Sequence, residues 1–337
     1  MSIGLNAPAA KDRRPGLQWR LGLALILFIN VMVTNDGRSQ PAERGFSRSA
    51  QEPSKPKPAE QNVHPYLEEP LKQLIKQIPE LKHVQPTTDQ QELPMILRKT
   101  GEKVDEFFNN AVDLIANEEI KQERMSVFGV AGGRKPIRDS YLIVRDKEGK
   151  EGTFNEYRMD EDGNRVDESG LRRGFLVTSG FALTSADFSP GYQPDSEFRY
   201  IGEEKIDGKD SYVVAFAQIP GKAVLTAVMS GPEGVAVELL RQGVAWVDKE
   251  SFYIVRMRTD LLVRRPEIGL DEQTTKVKFS EVRLADVATP LWLPRDVSVY
   301  MRLGKSANRP FEEAFLNEHH YTNYRRYRVS TRMVAPQ

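Results

Sequence analysis

The chain has no cysteine and only four histidines among its 337 residues. The absence of cysteine excludes disulfide bonds, thiol catalysis and cysteine-ligated zinc, and also a lipid anchor of the bacterial lipoprotein type, which is attached to a cysteine. Lys and Arg together number 48, as do Asp and Glu, so the formal net charge is zero. A neutral chain has no overall charge that would attract nucleic acid or an anionic membrane, and we expect no nucleic-acid partner.

Motifs of the common enzyme classes are also missing. The chain has no Gly-x-Ser-x-Gly nucleophile elbow, and the glycine-rich stretch at 129–133 lacks the Lys-Ser/Thr sequel of a phosphate-binding loop. The carboxylates are scattered over predicted polar faces, with no pair suited to general acid and base roles. We therefore expect a protein that is not an enzyme and that uses no cofactor.

Two segments are weak candidates for metal binding. Residues 160–171 begin like a calcium loop, but Arg165 stands at its required glycine and Leu171 at its bidentate glutamate. His319 and His320 are adjacent on a predicted strand and would point to opposite faces, so they could not easily share one ion. We expect no metal site.

The N-terminus carries an export signal. Four basic residues between Lys11 and Arg20 precede the apolar run Leu21–Val33, a pattern typical of a secretory signal peptide within residues 1–39. The run is shorter than the ~20 residues of a usual membrane-spanning helix. The residues around Gly37–Ser39 do not form a clean cleavage site, so an uncleaved signal anchor is the alternative. We expect an exported protein of the periplasm or cell envelope, which contacts the membrane only through this segment if it is uncleaved.

A linker and two helices are predicted next. Residues 40–64 are rich in Pro, Ser, Gln, Lys and Glu, which favours a disordered linker. Apolar residues then recur with helical spacing over residues 65–86, which predicts an amphipathic helix. A second helix is predicted to begin at Pro94 and to continue to Ile115. Its broad apolar face includes Phe107 and Phe108.

The C-terminal two thirds read as an antiparallel sheet. From Phe198 to Met333, short strands that alternate apolar and charged residues are separated by turns. The Asp207-Gly208 pair between two such strands predicts a type I′ hairpin turn, which needs positive φ at both residues. The helices precede the strands and do not alternate with them, which argues against a doubly wound fold. We predict an α+β, mainly antiparallel β, single domain over residues 90–333.

Several segments resemble a known group of proteins when they are taken together. They are Ile120–Glu123, Tyr212–Ala217, Ala245–Asp248, Arg258–Leu262, Leu291–Arg295 and Asn317–Val329. This set resembles a group of uncharacterised exported bacterial proteins, and its helix-then-meander order is similar to the LolA/LolB superfamily of outer-membrane lipoprotein-sorting carriers. The resemblance covers about residues 90–333.

The resemblance implies a strongly curved, half-open β-barrel with the N-terminal helices packed on its concave side. Members of the superfamily hold acyl chains in that hollow, so the resemblance implies a lipid, a lipoprotein or another apolar ligand as partner. Candidate ligand-binding residues come from the predicted helix and from inward-facing strand positions. They are Phe107, Phe108, Ile115, Val214, Phe216, Trp246, Val255, Phe279 and Val299.

A second hypothesis remains open. The curved sheet could instead be solidly filled, and the protein could be a membrane-anchored module of the cell envelope. In that case an apolar patch or an open strand edge would bind a protein partner. A hollow of several hundred Å³ would favour the ligand hypothesis, and a filled interior would favour the interaction module.

Overall fold

The computed structural model describes the helices and strands of the chain and most of the turns between them. The described residues are 27–30, 66–110, 113–126, 129–133, 135–145, 154–166, 178, 181–230, 236–285, 287–305 and 311–326. The predicted linker, residues 40–64, lies outside this set. Within the described residues, no helix has the length and apolar character needed to cross a membrane.

Two α-helices precede most of the strands. Helix α1 spans Leu71–Gln77 and helix α2 spans Leu93–Asn110. The strands are β1 (Leu27–Asn30), β2 (Gln85–Pro86), β3 (Leu114–Ser126), β4 (Gly129–Gly133), β5 (Ile137–Arg145), β6 (Phe154–Met159), β7 (Ser196–Ile206), β8 (Lys209–Gln218), β9 (Ala227–Ser230), β10 (Ala236–Leu239), β11 (Arg241–Asp248), β12 (Ile254–Leu261), β13 (Leu270–Val282), β14 (Leu291–Leu303) and β15 (Glu313–Arg326).

Twelve strands form one antiparallel sheet. Their order is β2-β7-β8-β11-β12-β13-β14-β15-β3-β5-β6, and β4 pairs with β3 beside this path. The end strands β2 and β6 do not pair with each other in the described part of the chain, so the sheet is open. This architecture confirms the predicted fold class. A separate sheet has the order β1-β9-β10, in which β1 runs parallel to β9.

The hairpin between β7 and β8 has the predicted turn. Its central residues, Asp207 and Gly208, have φ values of 49° and 86°. Positive φ at both positions is the requirement of a type I′ turn, whose twist matches that of the flanking strands. The turn sets the register that pairs Ile206 with Lys209, and a β-bulge between Tyr200 and Gly202 then shifts it by one residue, so that Phe198 pairs with Phe216.

The sheet is curled toward the segment that precedes β7. In that segment the Phe188 ring lies 5.5 Å from the Phe216 ring on β8, while the Phe181 ring lies 4.9 Å from the His319 ring on β15. Strands β8 and β15 are five strand spacings apart, which is about 24 Å in a flat sheet. Two side chains only seven residues apart contact both strands, as expected where a sheet curves around the segment that it holds.

Alternation along the strands separates two apolar clusters. The inner cluster lies on the concave face, beneath α2, and includes Val214 and Phe216. The outer cluster lies on the opposite face of the same strands and includes Val213, Val244 and Trp246. Strand β8 therefore contributes alternate residues to both clusters, as expected for a strand buried on both faces.

Helix α1 packs on the outer cluster, which corrects the prediction that both N-terminal helices lie on the concave side. Its Leu74, together with the following Ile78 and Leu81, is fully buried against the outward-facing residues of β8 and β11. The physical reason is that the run Tyr212–Ala217 is buried on both faces and therefore needs a cover on each. Of the two helices, α2 is the one that packs on the concave side.

Both helices are shorter than predicted. Helix α1 starts after Pro70 and ends at Gln77, since Pro79 disfavours helical geometry at Ile78 and begins a separate 3₁₀ turn. Helix α2 ends at Asn110, so Ile115 lies in strand β3 and not on the helix. Asp113, with φ 52°, precedes that strand in the left-handed region, which a continuing helix does not adopt.

Candidate ligand-binding site

The concave face is closed by residues 181–195, which we name the covering segment. It consists of three 3₁₀ turns, Phe181–Leu183, Ala186–Phe188 and Gln193–Asp195. Phe181 and Phe188 are the large side chains that it buries in the inner cluster. The Phe188 ring packs edge-on against the rings of Phe198 and Phe216, at 5.2 and 5.5 Å. Apolar side chains of the covering segment thus occupy the space that a hollow would provide.

The backbone of the covering segment is held largely by its own hydrogen bonds. Within it, Phe188 N–H donates to Ser185 O and Asp195 N–H to Tyr192 O, at 3.0 and 2.9 Å. Its attachments to the body of the protein are mainly made by side chains. The Ser189 hydroxyl, for example, donates to Asp105 Oδ1 on α2 at 2.6 Å. The segment can therefore be treated as a unit that rests on the sheet without being part of it.

Helix α2 approaches the covering segment at a glycine. A Cβ built on Gly101 would lie 2.8 Å from Gln193 Nε2 and 3.0 Å from both Phe188 O and Pro190 Cδ. Two of these atoms belong to the backbone or to a stiff ring, so a side chain at 101 would require the covering segment to move. Gln193 Nε2 also donates to Leu97 O at 2.9 Å, which joins the segment to the helix at the same place.

A small cavity lies between the covering segment and strands β11 to β14. Its volume is about 40 Å³. A water molecule needs ~10–15 Å³, so this cavity can hold a few atoms but not an acyl chain. Its apolar lining residues include Phe181, Leu239 and Val299, and its polar lining residues include Thr178 and Thr259.

The cavity is also lined by a buried arginine. The side chain of Arg241, at the start of β11, is 10% exposed, and its Nε lies 2.8 Å from Asp187 Oδ2 of the covering segment. Its Nη2 has no hydrogen-bond partner among the described residues. Asp187 also accepts a hydrogen bond from Gln218 Nε2 at 2.9 Å. An unsatisfied buried donor costs about 1–3 kcal/mol, more when it is charged, which makes Arg241 the least satisfied group of the site.

A buried polar network lies on the concave face beyond the cavity. Arg158 on β6 donates two hydrogen bonds to Glu118 on β3, at 2.7 and 2.9 Å. Glu118 also contacts His319 Nδ1, and it accepts a bond from the Tyr321 hydroxyl, both at 2.8 Å. His319 Nε2 lies 2.8 Å from Thr178 Oγ1. The network therefore connects β3, β6 and β15 to Thr178, which lines the cavity.

Burial and charge set the ionisation of this network. Burial raises the pKa of Glu118, but the Arg158 guanidinium and the hydrogen bond with His319 outweigh it and hold that pKa well below its usual range. Burial lowers the pKa of His319 despite the neighbouring Glu118. The imidazole is therefore neutral near pH 7, with Nδ1–H donating to Glu118 and Nε2 accepting from the Thr178 hydroxyl.

The order hydroxyl, imidazole, carboxylate is also that of a hydrolase triad. Here, however, Arg158 engages both carboxylate oxygens of Glu118, and Thr178 accepts a further hydrogen bond from Asn317 at 3.2 Å. Thr178, His319 and Glu118 are each 2% exposed. This geometry suits a structural link whose donors and acceptors are satisfied by one another.

The structure places the nine predicted ligand-binding residues on two faces. Six belong to the concave face or pack against it: Phe107, Phe108, Val214, Phe216, Phe279 and Val299. Trp246 and Val255 belong to the outer cluster, beneath α1. Ile115 lies opposite Leu142 on β5 and alternates with the inward-facing Leu114 and Ala116. One hollow therefore cannot be lined by all nine, and Val299 is the one that lines the cavity.

Sequence reasoning missed the polar residues of the concave face. Glu118 follows Leu114 and Ala116 at the same alternation, and His319 lies between Asn317 and Tyr321 in the inward register of β15. The signal that the sequence offered was therefore a charged or polar residue at a strand position that alternation predicts to face inward. For Arg241 the signal was weaker, because it begins a strand in which every residue is buried. The expectation that His319 and His320 face opposite ways is confirmed, since His319 is buried and His320 is exposed.

Comparison with known proteins gives similarity of fold. No family model and no curated protein matches the chain. A putative outer membrane lipoprotein-sorting protein domain from Vibrio parahaemolyticus is 10% identical, with 68% of this chain and 91% of that chain covered and a TM-score of 0.31. A LolA superfamily protein from Nitrosomonas europaea is 12% identical, with 69% of this chain and 94% of that chain covered and a TM-score of 0.31. A DUF1329 family protein from Desulfovibrio piger is 14% identical, with 71% of this chain and 94% of that chain covered and a TM-score of 0.33. At such identities and TM-scores the likeness is a distant one and concerns the fold alone.

Proposed function

We propose that this protein is an exported, non-enzymatic binder of an apolar ligand, such as a lipid or the acyl part of a lipoprotein, in the periplasm or cell envelope. The ligand binds on the concave face when the covering segment moves away. The observation that carries this proposal is that the apolar concave face is closed by a segment with its own backbone hydrogen bonds, attached to the body mainly by side chains.

The free energy needed to open the covering segment is similar in size to the free energy gained by burying an acyl chain in its place. Exposing a buried Phe or Leu side chain costs about 1.5–3 kcal/mol, so releasing Phe181, Leu183 and Phe188 costs about 5–9 kcal/mol. A twelve-carbon acyl chain that takes their place buries ten methylene groups, which contribute about 8 kcal/mol. Exchange of one apolar occupant for the other is therefore feasible. It also explains how a 40 Å³ cavity is compatible with ligand binding.

A reversible lock on the covering segment tests the proposal. Because the chain has no cysteine, the double variant Asp105→Cys/Ser189→Cys would carry the only two thiols, at side chains that are in hydrogen-bond contact. Laurate, a twelve-carbon fatty acid, is the probe, and binding is measured by calorimetry. We expect the oxidised variant to bind laurate at least tenfold more weakly than the same variant after reduction. Loss of free thiol verifies the disulfide.

Two results would contradict the proposal. Equal laurate affinity in the oxidised and reduced forms would mean that the ligand does not enter beneath the covering segment. Failure of the wild-type protein to bind laurate, its methyl ester or dodecanol would remove the ligand-binding function itself.

The filled concave face favours a second candidate function, a membrane-anchored protein–protein interaction module of the cell envelope. In the described residues the space beneath the covering segment is occupied by Phe181 and Phe188, and the adjoining cavity holds only about 40 Å³. A filled sheet would act through its surface or through an end strand such as β6. This candidate requires that the N-terminal apolar segment stay on the mature protein.

A further inference from the structure

We infer that the cavity beside Arg241 receives the carboxylate head of an acyl-chain ligand. This inference rests on the proposed function, because it names the chemical class of ligand that the concave face would take. It is carried by Arg241, whose guanidinium is nine-tenths buried, lines the cavity and keeps Nη2 without a partner among the described residues.

The remaining lining fits a carboxylate head attached to a chain. Thr259, Thr275 and Gln273 line the same cavity, and their side chains can donate hydrogen bonds to an anion. A volume of about 40 Å³ admits a carboxylate, which is little larger than two water molecules. The apolar side of the cavity, which includes Phe181 of the covering segment, marks where the chain would leave it.

The charges around the cavity leave Arg241 as its available cation. Asp260 also lines the cavity, but its carboxylate accepts bonds from Arg258 at 2.7 and 2.8 Å and from Thr274 at 2.5 Å. Arg258 lies directly opposite Val244 of the outer cluster, so the Asp260 carboxylate is paired with an outward-facing guanidinium. Asp187 engages Arg241 near Nε, which leaves Nη2 for a second carboxylate, since a guanidinium offers five N–H donors.

Three probes that share a twelve-carbon chain and differ only in their heads test the inference, and we call them the twelve-carbon probes. They are laurate, methyl laurate and 1-dodecanol, with acetate as the probe for a carboxylate without a chain. We expect wild-type protein to bind laurate at least tenfold more tightly than the ester or the alcohol, and acetate more weakly than any of them. A charge-assisted hydrogen bond in a buried site is strong enough to produce this preference.

Variants of the ion pair sharpen the test. Arg241→Gln should bind all three twelve-carbon probes alike, and the double variant Arg241→Gln/Asp187→Asn should do the same without leaving Asp187 unpaired. Asp187→Asn alone should increase the preference for laurate severalfold, because it frees the Nε edge of the guanidinium. Arg98→Gln, at an exposed arginine of α2, is the matched control and should leave the preference unchanged.

The outcomes separate this inference from the proposed function. If wild-type protein binds the three twelve-carbon probes with equal affinity, the carboxylate assignment is wrong and the apolar binding function stands. If acetate binds as tightly as laurate, the cavity is a site for free carboxylates and the inference is also wrong. If none of the twelve-carbon probes binds, the proposed function fails and the inference fails with it.

Discussion

At the scale of single residues, the concave face carries a few charged side chains at strand positions whose neighbours on the same face are apolar. Glu118 is satisfied by Arg158, His319 and Tyr321, so it can be buried without a large penalty. Asp139, directly opposite Glu118 on β5, lacks such partners, and its Oδ2 has none among the described residues. Burial, reinforced by the negative charge of Glu118, raises the pKa of Asp139 to about 6.

Asp139 therefore predicts a pH dependence of stability. Its folded-state pKa of about 6 lies above the ordinary value of 3.8, so the folded protein binds more protons between these values and loses stability as the pH rises through this window. Asp139→Asn removes the titration. We expect this variant to exceed wild type in unfolding free energy by about 1 kcal/mol at pH 7, after allowance for partial solvent screening, and to match it near pH 3.5.

Urea denaturation at pH 3.5, 5 and 7 measures this difference. Glu161→Gln is the control, because Glu161 lines the same open cleft and is an exposed carboxylate. A gap between Asp139→Asn and wild type that stays constant from pH 3.5 to 7 would show that titration of Asp139 is not its cause.

At the scale of elements, Gly101 controls how closely α2 and the covering segment approach. A side chain there would meet Phe188 O and Pro190 Cδ at 3.0 Å, so Gly101→Ala should loosen the covering segment. We expect the variant to bind laurate severalfold more tightly than wild type, because less of the binding free energy is used to open the segment. Alanine also favours the helix over glycine by about 1 kcal/mol, so the free energy of unfolding of the variant should fall by less than the strain alone would cause.

Calorimetry with laurate and thermal unfolding of the same variant separate these effects. Glu102→Ala, on the exposed side of the same helix turn, is the matched control and should not change affinity. Unchanged or weaker laurate binding by Gly101→Ala would contradict the role of the covering segment.

The elements also show which parts of the fold could be predicted from sequence. The hairpin at Asp207-Gly208 follows from local geometry, and the strands of the C-terminal half follow from alternation, so these were predicted correctly. The end of α2 and the face chosen by α1 were not, because each depends on contacts between distant residues. Ile115 continues a helical pattern but pairs in a sheet with Leu142. Periodicity cannot distinguish these two environments.

At the scale of the whole molecule, the candidate site was predicted only in part. The apolar half of the concave face was found from inward-facing residues such as Val214, Phe216 and Val299. Its polar half was not, because Thr178 contacts His319 and shares the cavity with Arg241 only after β11 and β15 are brought to one side of a curved sheet. Single-sequence reasoning has no means of placing in one cluster polar residues that are as far apart in the chain as Thr178 and His319.

Cleavage or retention of the N-terminal segment distinguishes the two candidate functions of the whole molecule. The predicted signal segment, residues 1–39, includes strand β1, which pairs in parallel with β9. Cleavage would remove β1 and leave β9 paired with β10 alone in that sheet. The large antiparallel sheet would be unaffected, since β1 does not belong to it.

We therefore expect the mature protein, expressed with its own N-terminus and purified from the cell envelope, to lack the Leu21–Val33 run and to remain folded. Intact-mass spectrometry under native conditions reads both processing and bound ligand in one spectrum. A shortened chain with an added mass of fatty-acid size would support an exported carrier. A full-length chain without added mass would contradict that function. Such a protein would remain attached to the membrane and would carry no ligand on its concave face.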